Sequence, residues 1–379
     1  MSKELILRNA RLVLEDEIVD ASLLVRDGRI AAIDESGSAL GEDMGGDYVI
    51  PGLVELHTDH LEPHYSPRPG VRWNGIAALQ AHDAQIAASG ITTVFDCLRM
   101  GSDEDGGFAK GEMRAIADGL ELAQRDDRLR AEHFIHLRCE VSSADVLEHF
   151  DDFRSDPQVR LASLMDHAPG QRQFQTMEQY VLYYKEKRGL SDEQFNDFVK
   201  RRRHASQTHS APHRKAIAAA CHERDITIAS HDDATAAHVE EAKAFGVRLA
   251  EFPTSMEAAH ASHAAGMSVL MGAPNIVRGM SHSGNISARD LVAARVLDVL
   301  SSDYVPFSLI YAPFVLSDGN DEFTLPDAIK LVTSTPARTV GLKDRGRIAE
   351  GLRGDLVRVR RDSDVPVVRS VWREGRRVA

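Results

Sequence analysis

The 379-residue chain contains little cysteine, few aromatic residues and no long apolar run. Its three cysteines, Cys97, Cys139 and Cys221, are far apart and lack metal-binding spacing, which argues against a cysteine-built metal site. No apolar run approaches the ~20 residues that cross a membrane, and the amino-terminal residues contain no apolar signal core. We therefore expect a soluble, cytoplasmic protein without a membrane partner.

Basic residues are also in deficit, because 45 Lys and Arg stand against 58 Asp and Glu, a formal net charge of −13. This acid excess argues against nucleic acid as a partner, since binding to the phosphate backbone needs a basic face. An anionic ligand would have to be held by a local basic cluster or by metal ions. The content of 43% hydrophobic and 27% charged residues is that of an ordinary globular protein.

Short strand-like runs at both ends of the chain bracket a region in which strand and helix patterns alternate. The runs within residues 1–50 and 345–379 predict one small β-sandwich-like domain built from both termini. Over residues 51–344 the alternation predicts an α/β fold, a (β/α)8 TIM-like barrel, with a doubly wound open sheet as the alternative. A polar helical insertion is predicted at about 171–215. The predicted barrel strands are residues 53–58, 91–96, 133–141, 161–166, 226–231, 248–252, 268–272 and 300–304.

Ligand-type side chains stand at the ends of several predicted strands, at the face where barrel active sites form. On the first strand His57 and Asp59 point the same way, because side chains alternate along a strand. Any one such residue alone would more often be a helix cap or a surface group, so the joint placement carries the prediction. Nitrogen and oxygen ligands suit Zn²⁺, which we favour, or Mn²⁺ or Fe²⁺. The predicted metal ligands are His57, Asp59, Glu140, His167, His231 and Asp303.

Glu140 could bridge two ions about 3.5–4 Å apart, so one or two ions per chain fit the pattern. A bound ion lowers the pKa of a water molecule toward ~7. Asp303, at the end of the eighth strand, is the predicted catalytic residue, which would orient that water and take its proton. Asp232 is interpreted as lying outside the ligand set. His60 could add a ligand or lie beside the ligands, and the second is favoured.

A loop rich in glycine and hydroxyl residues follows the seventh strand and precedes a predicted helix at 287–300. Backbone N–H groups at a helix start, with basic and hydroxyl side chains nearby, would bind phosphate, although an ordinary βα loop is the alternative. Arg68 and Arg172 follow the first and fourth strands and could also reach a polyanionic substrate. The basic run at 200–203 is interpreted as a solvated helix face. The predicted substrate-binding residues are Arg68, Arg172, Arg278, Ser281, His282, Ser283, Gly284 and Asn285.

Residues 51–59, which read PGLVELHTD, and residues 346–357, which read GRIAEGLRGDLV, resemble the amidohydrolase superfamily. More narrowly, the chain is similar to the phosphonate-metabolism branch of that superfamily. Two departures from the usual superfamily pattern fit this branch. The first is Asp59, which stands where the second histidine of a His-x-His pair is typical, and the second concerns Glu140. Glu140 stands in for a carboxylated lysine.

The resemblance implies metal-dependent hydrolysis of alpha-D-ribose 1-methylphosphonate 5-triphosphate, a phosphorylated sugar, to the 5-phosphate and pyrophosphate in the carbon–phosphorus lyase pathway. It also implies that metal ions, Arg172, Arg278 and the loop at 281–285 stabilise charge on the transferring and leaving phosphates.

Two other functions remain open at this point. An amidohydrolase acting on a cyclic amide or a nucleobase would share the metal ligands but would not need Arg172, Arg278 and the loop at 281–285. A non-catalytic binding subunit of a phosphonate-processing complex would keep the basic cluster but could lose Asp303 or other ligands. The sequence leaves a homo-oligomer open.

Overall fold

A computed structural model describes residues 4–102, 111–172, 181, 185, 189–281, 285–320, 322–362 and 364–379. Its strands form two separate sheets, and one of them is assembled from both ends of the chain. In chain order the strands are Glu4–Val13 (β1), Ile18–Arg26 (β2), Arg29–Asp34 (β3), Glu42–Asp43 (β4), Tyr48–Pro51 (β5), Leu53–Thr58 (β6), Ile91–Met100 (β7), Glu132–Glu140 (β8), Val159–Met165 (β9), Thr227–His231 (β10), Leu249–Glu251 (β11), Ser268–Gly272 (β12), Val299–Ser301 (β13), Leu356–Arg360 (β14), Val367–Arg373 (β15) and Arg376–Arg377 (β16).

Helices alternate with the strands of the second sheet. In the described ranges they are Leu61–Tyr65 (α1), Gly75–Ala88 (α2), Glu112–Arg125 (α3), Val146–Asp151 (α4), Asp192–Glu223 (α5), Ala236–Ala244 (α6), Met256–Ala264 (α7), Ala273–Arg278 (α8), Ala288–Ala293 (α9), Ser308–Ser317 (α10), Leu325–Lys330 (α11) and Ser334–Thr339 (α12). Among the helices in these ranges, none combines the length and the apolar character that a bilayer span requires.

The first sheet has the order β16-β15-β14-β5-β1-β2-β3, with β4 paired to β1. The two ends of the chain meet where β5 pairs antiparallel with β14, with Ile50 opposite Val357. Leu7, Leu23 and Trp372 are buried in the core of this sheet. The predicted β-structure from both termini is therefore confirmed, while its boundaries at residues 50 and 345 stay a prediction.

The second sheet is an eight-stranded parallel barrel in which β6 to β13 pair in chain order. Thr58, the last residue of β6, pairs with Asp303 after β13, and the Asp59 N–H donates to the Asp303 carbonyl at 3.0 Å. The buried Glu55 side chain stabilises this junction between the first and last barrel strands, because it accepts hydrogen bonds from the backbone N–H groups of His57 and Ser302 at 2.6 and 2.5 Å. All eight predicted strands overlap observed ones. The predicted (β/α)8 barrel is confirmed, and the open-sheet alternative is wrong because the strand order never reverses.

The inward faces of the barrel strands change from apolar to polar toward their carboxyl ends. Phe95, Leu161, Ala229 and Leu249 are fully buried in one apolar cluster inside the barrel. Side chains two residues apart on a strand share a face, so the next inward positions are Cys97, Ser163, His231 and Glu251. The apolar layer thus forms a floor, and the polar layer above it opens at the barrel mouth.

Two helical predictions differ from the structure. The helix predicted over 287–300 is too long, because α9 ends at Ala293 and Arg295 adopts a left-handed conformation with φ of 56°. The insertion predicted at 171–215 lies partly outside the described residues. Its described part belongs mainly to α5, which begins with a capping box of Ser191 and Gln194 and continues to Glu223.

Candidate active site

A cavity of about 260 Å³ opens at the carboxyl ends of the barrel strands. Its position follows from the parallel sheet, since all eight strands point their carboxyl ends to the same side. The structure brings together at this cavity all six side chains that the sequence predicts as metal ligands. The lining residues in that set are His57, Asp59, Glu140, His167, His231 and Asp303.

Each of three imidazoles at the cavity has a carboxylate behind its Nδ1 atom. Glu251 receives two of them, with Oε1 3.1 Å from Nδ1 of His57 and Oε2 3.1 Å from Nδ1 of His231. Glu140 Oε2 lies 2.7 Å from Nδ1 of His167. A carboxylate on one ring nitrogen orients an imidazole and leaves the other nitrogen for an ion, as in many metal sites.

The charges in this part of the cavity are coupled. Burial disfavours the charged form of His57 and of His167, but Glu251 and Glu140 respectively outweigh burial and raise the pKa of each ring. In the same way, His167 outweighs burial and lowers the pKa of Glu140 to about 2. Burial would raise the pKa of Glu251, but His57 and His136 outweigh burial and hold this pKa well below its usual range, so both carboxylates are ionised at neutral pH, as metal-ligating or ligand-orienting carboxylates must be.

Asp232 gives the test of whether a metal ion fits. Its Oδ2 atom is buried without a hydrogen-bond partner in the described residues, and it lies 3.4 Å from Nε2 of His231 and 3.8 Å from Nε2 of His167. These three ligand atoms lie within 4.8 Å of one another. An unsatisfied anionic oxygen beside two imidazole nitrogens suits a divalent cation, so the residues present fit the group. Sequence reasoning placed Asp232 outside the ligand set, and the structure makes it a candidate ligand.

A second group at the mouth, His57, His231 and Glu251, has ligand atoms equally close together. His231 belongs to both groups. Asp59 and Glu140 line the same cavity but have other partners, because Asp59 pairs with Arg138 and Glu140 pairs with His167. Asp303 lies against Gly272, where an added Cβ would be 3.4 Å from Oδ2 of Asp303.

Cys97 is the one cysteine at this face within the described residues, and it forms a further close group with His57 and His136. Burial raises the pKa of the Cys97 thiol well above its usual range, so the sulfur is protonated at neutral pH. A thiol is a poor metal ligand compared with a thiolate. The expectation of nitrogen and oxygen ligands stays a prediction.

Comparison with known proteins shows to which family the chain belongs. The sequence model of the amidohydrolase family matches residues 76–379. The alpha-D-ribose 1-methylphosphonate 5-triphosphate diphosphatase of Escherichia coli (strain K12) is 48% identical over 377 residues, which cover 99% of this chain and 100% of that protein. The chain belongs to the amidohydrolase family.

Solved structures agree on the fold of this amidohydrolase. The N-acetylglucosamine-6-phosphate deacetylase from Pasteurella multocida aligns with a TM-score of 0.65 at 12% identity, over 99% of each chain. A D-hydantoinase aligns with a TM-score of 0.60 at 15% identity, over 99% of this chain and 95% of the other. At such identities the likeness concerns the fold alone. Enzymes of the superfamily generally use a divalent metal, which agrees with the groups described above.

The predicted substrate residues of this amidohydrolase divide into three sets. Arg278, Ser281 and Asn285 line the cavity. Arg68 is exposed and Arg172 is buried, and neither belongs to the lining. The remaining three, His282, Ser283 and Gly284, lie outside the described residues.

Arg172, which is not among the residues lining the cavity, has two acidic partners. Its Nη1 atom contacts Asp233 and its Nη2 atom lies 2.7 Å from Oε2 of Glu241. Only 4% of Arg172 is exposed, and burial lowers its pKa to about 10. Arg172 thus belongs to an ion-pair network that joins the segment after β9, the fourth barrel strand, to α6.

Sequence reasoning missed Glu251, Arg138 and Arg99 at this site. Glu251 is the last residue of β11, as His231 is of β10, so the rule that found His231 could also have found Glu251. Arg138 lies between His136 and Glu140 on β8, and it lines the cavity together with Arg99. The interpretation of residues 200–203 as a solvated face is wrong for Arg202, which is buried with Nη2 3.5 Å from Glu140.

Proposed function

We propose that this amidohydrolase hydrolyses alpha-D-ribose 1-methylphosphonate 5-triphosphate to the 5-phosphate and pyrophosphate, in the cytoplasm. The observation that carries the proposal is the 48% identity with the diphosphatase of that name over the full length of both chains. The cavity supports it, because metal-ligand side chains and basic side chains line the same opening.

The charges of the cavity suit a polyanionic substrate. Three cations, Arg99, Arg138 and Arg278, line it together with Ser281 and Asn285 as hydrogen-bond donors. Arginine matches phosphate oxygens with a planar set of N–H groups, which explains how a chain with a net charge of −13 could bind a triphosphate. A neutral cyclic amide would make no use of the charge of the exposed Arg278, whereas Arg138 and Arg99 also pair with Asp59 and Glu62. We therefore favour a phosphate-bearing substrate over a cyclic amide or a nucleobase.

We further propose roles for the residues at the strand ends. His167, His231 and Asp232, with His57 beside them, would hold a divalent ion, and Zn²⁺ suits imidazole nitrogen with carboxylate oxygen. Such an ion supplies positive charge to phosphate oxygens and lowers the pKa of a water molecule. Asp303 would accept a proton from the attacking water at its carboxylate. The water attacks the phosphorus nearest the ribose. The bond between this phosphorus and the oxygen shared with the next phosphate breaks, and pyrophosphate leaves.

Phosphorus NMR on zinc-loaded protein tests the proposal. The wild type is expected to convert the ribose triphosphate to a 5-monophosphate and pyrophosphate, and Asp303→Asn is expected to lose this activity. Asp20→Asn, an exposed change on β2 of the terminal sheet, serves as the matched control and should keep full activity. An absence of phosphorus chemistry in the zinc-loaded wild type, or turnover of a cyclic amide instead, would overturn the assignment. Equal activity in Asp303→Asn would keep the reaction but remove Asp303 as the base.

A further inference from the structure

A fully buried histidine outside the barrel mouth carries a ring nitrogen without a partner. His82 lies on α2, and its Nε2 atom donates to Oδ1 of Asp96 at 2.7 Å. Its Nδ1 atom has no hydrogen-bond partner in the described residues. Because the carboxylate accepts the Nε2 proton, a neutral His82 presents a bare lone pair at Nδ1. A buried acceptor left without a donor costs stability, so this atom calls for an explanation.

Two further imidazoles approach His82 from the segment that follows the first barrel strand. The ring centroids of His60 and His64 lie 6.4 and 6.0 Å from that of His82, and 5.3 Å from each other. Nε2 of His64 lies 3.2 Å from Oε1 of Gln85, and His60 interacts with the Gln85 side chain and with the backbone of Tyr304. His64 and His82 thus each have one ring nitrogen held by a side-chain oxygen. This is the pattern of metal-ligating histidines, in which the second nitrogen takes the ion.

We propose that His60, His64 and His82 bind one first-row transition-metal ion such as Zn²⁺, at a site separate from the barrel mouth. An imidazole bound at ~2.1 Å has its centroid about 3.2 Å from the ion, so tetrahedral partners have centroids about 5.2 Å apart. The pair of His60 and His64 already has this separation, and the other two pairs need to close by about 1 Å. Water would take the fourth position.

The surroundings suit such an ion. His60 and His64 each offer imidazole nitrogen, a ligand that Zn²⁺ binds well. Both rings are only partly buried, so an ion can enter from the surface. The Asp96 carboxylate behind His82 adds a negative charge that favours a cation. The ion would tie the segment after Asp59 to α2 and, through Asp96, to the second barrel strand.

The neighbouring group of His82, Asp96 and His133 is a weaker candidate, although its ligand atoms lie close together. Its members are fully enclosed, and both ring nitrogens of His133 already face carboxylates, Nδ1 at 2.7 Å from Asp96 and Nε2 at 3.3 Å from Asp83. A protonated His133 satisfies this group without a metal. The bare Nδ1 of His82 is what remains unexplained there, and it is the atom that the proposed site uses.

Zinc counting by mass spectrometry after dialysis against a fixed free Zn²⁺ concentration tests the proposal. His64→Gln and His60→Gln are each expected to hold one equivalent of zinc less than the wild type. His263→Gln is the matched control, since this partly exposed histidine on α7 pairs with Asp298 far along the chain, and it should hold as much zinc as the wild type. His231→Asn, which alters the barrel mouth, should still hold the equivalent that His64→Gln loses.

The same zinc count in the wild type, His60→Gln and His64→Gln would overturn the proposal, as would the loss of all zinc in His231→Asn. Thermal unfolding in the presence of EDTA checks that each variant is folded before zinc is counted. With Co²⁺ as a second probe, the visible absorption of the wild type minus that of His64→Gln should show the bands of a four-coordinate nitrogen site. A flat difference spectrum would contradict the proposal independently of the count.

Discussion

The guanidinium of Arg138 pairs with the carboxylate of Asp59, so that the third barrel strand holds the end of the first. Burial alone would raise the pKa of Asp59, but Arg138 outweighs burial and holds this pKa well below its usual range. Asp59 is therefore ionised and already has a cation supplied by the chain itself. A metal ion at Asp59 would have to share that carboxylate with Arg138, whereas Asp232 offers an oxygen that nothing in the described residues occupies.

This pairing predicts that Asp59 and Arg138 depend on each other. Arg138→Met removes the cation and leaves a poorly solvated carboxylate, which is expected to lower the free energy of unfolding by about 2–4 kcal/mol. Asp59→Asn in the same chain should restore part of that loss, because the unpaired charge is then gone. Urea unfolding of the wild type, both single variants and the double variant measures the coupling. Strictly additive losses would contradict the pairing.

Glu251 orients two of the imidazoles at the mouth, so Glu251→Gln is expected to weaken zinc binding. The amide keeps the size of the side chain but removes the negative charge and one acceptor oxygen. We expect the affinity for zinc at the mouth to fall by about 10–100-fold, the usual effect of losing a group that orients a ligand. Competition with a chelator of known affinity measures the change. Glu240→Gln, an exposed change on α6, should leave the affinity as it is.

The barrel and most of the mouth can be predicted from sequence, because both follow from local rules. Alternating strands and helices indicate the fold, and a ligand-type residue at a strand end lies at the mouth of any parallel barrel. His57, His167 and His231 obey this rule, and so does Glu251 at the end of the three-residue β11. Which residues lie near the cavity is thus largely a matter of position along each strand.

The partners of those residues cannot be predicted in the same way. In the sequence, Arg172 follows the fourth barrel strand, and this position predicts that it binds the substrate. In the structure its side chain pairs with Asp233 and with Glu241 on α6. Arg202 sits in a run of basic residues, yet the packing of α5 against the barrel buries it beside Glu140. These contacts depend on how elements far apart in the chain pack against each other. The hydrophobic periodicity of the sequence carries no information about that packing.

A buried imidazolium predicts how stability depends on pH. Burial disfavours the charged form of His133, but Asp96 and Asp83 outweigh burial and raise its pKa to about 9. This folded-state pKa lies above the unfolded value of about 6.5, so the stabilisation is complete below pH ~6.5 and is lost as pH rises through about 9. For this single proton, the free energy of unfolding should fall by up to about 1.4 kcal/mol per pH unit in that window.

Urea unfolding between pH 6 and 10 measures this fall, and Asp83→Asn is the variant that tests its cause. The asparagine oxygen can still accept the Arg130 and Ala131 N–H groups that Asp83 accepts, at 2.8 and 2.9 Å. Without the Asp83 charge, the pKa of His133 drops and the fall in stability should shift to lower pH. His263→Gln, away from this group, should follow the wild-type profile. Identical profiles for Asp83→Asn and the wild type would contradict the assignment.

Arg172 and Arg278 should differ in what they contribute, because one is buried in ion pairs and the other is exposed at the rim of the cavity. Arg278→Gln is expected to raise KM for the ribose triphosphate by about 10-fold or more, the value of a charge-assisted hydrogen bond, with little change in unfolding free energy. Arg172→Gln is expected to lower the unfolding free energy by about 3 kcal/mol, because it strands the Asp233 charge, while KM stays near that of the wild type. Pyrophosphate release and urea unfolding measure the two effects, with Arg369→Gln on β15 as the exposed control. A stable Arg172→Gln protein with a raised KM would return Arg172 to the substrate-binding role that its place in the sequence predicts.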